Sequence, residues 1–133
     1  MELRMTKIQA VVIVIAALLA FPISAQAGSL SGTWSGSGYV EPTNGKRESV
    51  RCRVTFSRQS SKVYGVRAVC ASPSTKIIQT GELLMVNPNR YVGDFYNAEF
   101  DIAGRVRVRL SGSSQKVTFS SKNGHGSMTL RKN

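Results

Sequence analysis

After about residue 30, apolar and polar residues alternate along much of the chain. Val50, Cys52, Val54 and Phe56 are separated by Arg51, Arg53 and Thr55. Val106, Val108 and Leu110 are separated by Arg107 and Arg109 and preceded by Arg105. A period of two puts each set on one face of a strand, so these runs predict half-buried β-strands. Clusters of Gly, Asn, Pro and Ser interrupt them at Pro42–Gly45, Ser72–Ser74, Asn87–Asn89 and Gly112–Ser114, and read as turns. The predicted strands cover 31–40, 47–57, 62–71, 76–86, 90–97, 99–110, 116–121 and 126–132. Short strands at this spacing predict an all-β fold, a small antiparallel up-and-down β-barrel of about eight strands, whose closure removes exposed edges.

Register follows from the same alternation. In the third strand Tyr64, Val66, Ala68 and Cys70 share a face. A hairpin turning about Ser61 sets Cys52 opposite Cys70, Val54 opposite Ala68 and Phe56 opposite Val66. A slip of one residue would separate both the thiols and the apolar faces. This predicts an inward Cys52–Cys70 disulfide, which stabilises by roughly 3 kcal/mol on the chain-entropy model. In the last hairpin, a two-residue Asn123-Gly124 turn predicts Phe119 opposite Met128 and Val117 opposite Leu130. Gly36 and Gly38 share the face of Trp34, which leaves room beside the indole or marks close packing in a small barrel.

The first 27 residues break the strand pattern. Arg4 and Lys7 precede an apolar run from Ile8 to about Ile23, and Ala25-Gln26-Ala27 follows. A basic start, an apolar middle and an Ala-x-Ala end predict a signal peptide over 1–27, a helix cleaved after Ala27, leaving one barrel domain over 28–133. The apolar run is shorter than the ~20 residues of a spanning helix. The expected location is therefore periplasmic or secreted, an oxidising setting that favours the disulfide.

Charge is the strongest remaining feature. The chain carries 18 Lys and Arg against 7 Asp and Glu, a formal net +11, and removing Glu2, Arg4 and Lys7 lowers this only to +10. Arg51, Arg53 and Arg67 fall on the outer face of neighbouring strands, and Arg105, Arg107 and Arg109 form a second outer row, with Glu99 and Asp101 near enough in sequence to neutralise part of it. Guanidinium groups bind phosphate and carboxylate bidentately, so such rows suit an anionic lipid, a glycan or an acidic protein. Nucleic acid fits an exported chain less well. The plain alternative is a solvated face that keeps the protein soluble. An outer-membrane barrel would carry its apolar face outward, against this pattern.

Catalytic signals are absent from the sequence. The single histidine, His125, sits beside the Asn123-Gly124 turn, where exposure is expected, and the acids are scattered. Two thiols and one distant histidine do not make a metal site, and no phosphate-binding loop or nucleophile elbow is present. No catalytic residue, metal or cofactor is expected, and the chain reads as a non-enzyme.

Gly32-Thr33-Trp34 opens the first strand and Leu130-Arg131-Lys132 closes the last. This resembles the calycin pattern of lipocalins and avidins. The resemblance implies that Trp34 packs at the closed end of the barrel with Arg131 lying across its indole. It also implies a binding module. The expected function is an exported, non-enzymatic binding protein whose basic surface recognises an anionic envelope lipid or glycan. The alternative is an interaction or inhibitor barrel acting on a protease or lysozyme.

Overall fold

Eight antiparallel strands pair in chain order, and the last pairs with the first to close a barrel. The computed structural model describes residues 29–133, so the expected signal segment lies outside the described residues. The strands are β1 (Gly32–Pro42), β2 (Glu48–Arg58), β3 (Val63–Ala71), β4 (Lys76–Asn87), β5 (Arg90–Asn97), β6 (Ile102–Ser111), β7 (Ser114–Ser121) and β8 (Gly124–Lys132). The all-β, up-and-down architecture is as the alternation predicts.

The β2–β3 register is the predicted one. Cys52 pairs with Cys70, Val54 with Ala68 and Phe56 with Val66. Cys52 and Cys70 form a disulfide, with Cα atoms 4.1 Å apart. The apolar members of each alternating run face inward, and the arginines between them face out. This is the inverse of a membrane-spanning barrel, which presents its apolar band to lipid.

Most boundaries shift by one or two residues from expectation, and three of the differences have clear local reasons. β6 begins at Ile102, not 99, because Asn97 Oδ1 accepts the Phe100 backbone N–H and Asp101 adopts a positive φ of 51°. These contacts fold 98–101 into a loop. β7 begins at Ser114, because Gly112, with φ of 62°, permits a two-residue turn that pairs Ser111 with Ser114. The last hairpin turns at Lys122-Asn123, and Ser121 pairs with Gly124.

That last turn shifts the β7–β8 register by two residues from expectation. Phe119 faces Gly126 rather than Met128, and Val117 faces Met128 rather than Leu130. A shift of two preserves which side chains point inward. The observed register has a packing reason. A Cβ on Gly126 would lie 2.2 Å from Phe119 Cζ, so the ring lies flat over the glycine.

Candidate functional site

The barrel has a filled end and an open end. The β2–β3, β4–β5 and β6–β7 turns, the start of the described residues and the end of β8 surround the filled end; the other four connections surround the mouth. Trp34 and Leu30 have no exposed surface, and the indole Nε1 donates to Leu30 O at 2.9 Å. Leu130, Leu83, Leu110, Phe56, Tyr64 and Tyr91 complete this packed base. Tyr64 and Tyr91 meet edge to face at 5.3 Å, and burial of Tyr91 raises its phenol pKa above the ordinary value.

A cation does lie against Trp34, but it is Lys132. Its Nζ sits 5.6 Å from the ring centroid and donates to Ser29 O at 2.9 Å. Arg131 instead pairs with Ser35 and Ser114 and is exposed. The reason is parity. Leu130 faces inward, so Lys132 does too, and Arg131 between them faces out.

Above the base, inward side chains become small. Val50, Val54, Ala68, Val106, Val108 and Val117 line a cavity of about 320 Å3, within the range of small-molecule pockets. Phe95 and Phe119 stand near its mouth, 6.4 Å apart and edge to face. Each pairs with a glycine on the next strand, Phe95 with Gly104 and Phe119 with Gly126. A Cβ on Gly104 would lie 2.7 Å from the Phe95 ring. Both rings therefore lie along the wall and leave the lumen free. Gly36 and Gly38 do not enlarge it. A Cβ on either would fall 1.9 Å from a β8 backbone oxygen, so they serve close strand approach.

Polar groups gather toward the mouth. Gln79 Nε2 donates to the Tyr96 and Thr80 carbonyls, and buried Asn97 holds the 98–101 loop. Arg47 covers the Tyr39 ring at 3.8 Å and donates from Nε to Glu41 Oε1 at 2.8 Å. The hydrogen bond from Arg47 lowers the Glu41 pKa, and the Ser72 and Ser74 hydroxyls lower that of Glu48. His125 is exposed at the rim and stands edge-on to Tyr39 at 6.2 Å. Deeper, Gln115 is fully buried, and neither polar atom of its amide has a hydrogen-bond partner.

All six predicted ligand-binding arginines point outward and are exposed. The structure keeps them in two groups. Arg51 and Arg53 lie on β2 with Arg67 beside them on β3, whereas Arg105, Arg107 and Arg109 lie on β6. In a closed barrel of eight strands, β2 and β6 are opposite walls. Asp94, not Glu99 or Asp101, neutralises part of the β6 row, with an Arg105 contact of 3.3 Å. A shallow, open groove runs between Ser35, Ser37, Arg51 and Arg53. Alternation leaves open whether the interior is hollow or packed, with Gly36 and Gly38 as the hint of space; the signal that counts is the valine, alanine and glycine content of the inward positions nearer the mouth.

No protein-family model matches the chain, and no curated protein matches its sequence. Solved structures do share its fold, and they include designed barrels. A redesigned β-barrel, mFAP1, bound to DFHBI is 13% identical with a TM-score of 0.65, over 77% of this chain and 94% of that one. EF1p2_mFAP2b bound to DFHBI is 16% identical with a TM-score of 0.67, over 78% and 94%. A fluorescence-activating β-barrel of de novo design is 17% identical with a TM-score of 0.61, over 85% and 100%. The chain is thus a closed eight-strand barrel of the architecture those ligand-binding designs use.

Proposed function

We propose that the protein is an exported, non-enzymatic binding module that takes an apolar small molecule into its barrel. The carrying observation is the apolar cavity of about 320 Å3 between a packed base and an open mouth. At ~30 Å3 per water, that space equals about ten waters, which its valine and alanine walls would leave short of hydrogen bonds. An apolar guest removes that mismatch. The likeness to barrels of the same architecture solved bound to DFHBI supports a binding role. A calycin-like reading draws on Trp34 at the closed end with a basic residue of the last strand, Lys132, against it. The outward Arg51, Arg53, Arg67, Arg105, Arg107 and Arg109 serve an anionic partner of the envelope, a lipid or a glycan, outside the cell or in the periplasm.

The test is titration with N-phenyl-1-naphthylamine, whose fluorescence rises in apolar surroundings. Saturable uptake is expected, and Ala68→Phe, which fills the lumen, lowers affinity tenfold or more by the loss of cavity space (roughly 1.4 kcal/mol per decade). Absence of uptake, or uptake indifferent to Ala68→Phe in a folded variant, refutes the reading. A second reading, an interaction or inhibitor barrel, rests on one observation. Ile78, Leu84 and Val86 of β4 expose roughly half their surface on the outer wall. A tight protein partner lost on Leu84→Asp would favour it.

A further inference from the structure

Exposed cations stand at both ends of this barrel: Lys46, Arg47, Lys76 and Lys122 share the mouth with carboxylates, and a second group at the closed end does not. Arg58 and Lys62 flank the β2–β3 turn, Arg90 starts β5, Arg109 and Lys116 flank the β6–β7 turn, and Arg131 nears the end of β8. All six are exposed. The described side-chain carboxylates lie elsewhere. Glu41, Glu48, Glu99 and Asp101 surround the mouth, and Glu82 and Asp94 pair across the middle of the wall. Among the described residues the ion pairs are Arg47–Glu41 and Arg105–Asp94, neither of them at the closed end.

The closed-end cations are also crowded. Arg109 pairs directly with Arg90 on β5 and with Lys116 on β7, making one row of three like charges on adjacent strands. Neighbouring strands lie about 4.8 Å apart, and like charges directly opposite destabilise a sheet. An anion bridging the row relieves that repulsion. Geometry then selects the shape of the partner. A flat surface laid against the side of the barrel cannot touch both β2 and β6, which are opposite walls. Laid against the closed end, it meets cations contributed by strands on every side.

We infer that the closed end docks on an anionic lipid bilayer and holds the mouth away from it. The inference rests on the anionic-partner reading above and adds the docking face, the orientation and the partner's form. A bilayer fits better than a linear polyanion, because a ring of cations around one end suits a plane and a single strand row suits a chain. Docking of this kind is electrostatic and weakens as salt rises.

The experiment compares two variants that each lose four charges. One carries Lys62→Gln, Arg90→Gln, Lys116→Gln and Arg131→Gln at the closed end. The other carries Arg51→Gln, Arg53→Gln, Arg67→Gln and Arg107→Gln on the walls. Sedimentation of the purified protein with phosphatidylcholine vesicles, with and without phosphatidylglycerol, reads the binding, and thermal melting checks the fold. Retention is expected only with phosphatidylglycerol. At about fivefold per cation near an anionic surface, the closed-end variant loses roughly several hundredfold, while the wall variant, whose arginines attract the bilayer from beside the docking plane rather than from within it, loses about tenfold. Equal losses in the two variants overturn the end-on orientation and leave the basic surface an anion binder. Wild-type protein that ignores phosphatidylglycerol overturns the bilayer inference; binding to an acidic polysaccharide then assigns the surface to a glycan, and binding to neither overturns the anionic-partner reading as well.

Discussion

At the closed end of the barrel, Trp34 and Leu30 are completely buried beneath Leu83, Leu110 and Leu130; toward the mouth the same eight strands enclose an apolar cavity. The backbone scaffold is shared, and the inward side chains make the difference. Leu, Tyr and Trp interdigitate in the base, whereas Val, Ala and Gly leave a lumen above it. The two phenylalanines near the mouth do not close it, because Gly104 and Gly126 let their rings lie along the wall. The ends differ in charge as well, with cations at the base and mixed charges around the mouth. Stability and ligand capacity are therefore placed in different parts of one small barrel.

Truncating the base is expected to have the largest effect. Trp34→Ala removes a fully buried indole and its Nε1 hydrogen bond, and should cost about 3–5 kcal/mol in denaturant unfolding. Phe100→Ala at the mouth should cost under about 1 kcal/mol, since that ring is partly exposed. Similar losses at both positions would break the contrast. Replacing Cys52 and Cys70 together by Ala should cost about 3 kcal/mol, because the link closes a loop of 18 residues in sequence. Smaller still, Lys132→Gln should cost about 0.5–1 kcal/mol through its contact with Trp34, and Arg131→Gln should lie within about 0.5 kcal/mol of wild type. The reverse ranking would return the cation role to Arg131.

Acidification gives the smallest and most local effect. Glu41 is held low by Arg47 and Glu48 by serine hydroxyls, so their folded pKa values lie below the unfolded ones. Their contribution is present at neutral pH and is lost as pH falls through the folded values, below the ordinary carboxylate range of about 4. Amide protection factors across 42–47 and 72–75, corrected for intrinsic exchange at each pH, should fall there before those at Trp34 and Leu130 do. Simultaneous loosening of both ends would contradict a mouth-specific role.

Much of this arrangement is legible in the alternation. Period two fixes which residues face inward, and two thiols on matching faces are enough to place Cys52 opposite Cys70. Parity also has a blind spot, because a register shift of two leaves every side chain on its own face. The β7–β8 pairing is therefore decided by the fit of Phe119 over Gly126, which alternation does not report. Lys132 was within reach of parity, since inward Leu130 implies it; the family likeness pointed to Arg131 instead. The cavity depends on how inward volumes sum across eight strands, and no single run of sequence carries that sum. The separation of the arginine rows onto opposite walls is likewise a property of closure, and each row taken alone looks like one binding face.

The lumen between packed base and open mouth is proposed to receive an apolar guest. Methyl chemical-shift mapping during titration with N-phenyl-1-naphthylamine tests it most directly. Saturable shifts are expected at Val54, Ala68, Val106, Val117 and Met128, all of which line the cavity, with little change at Leu30 in the base. Shifts confined to the exposed Ile78, Leu84 and Val86 would place the guest on the outer wall and contradict it.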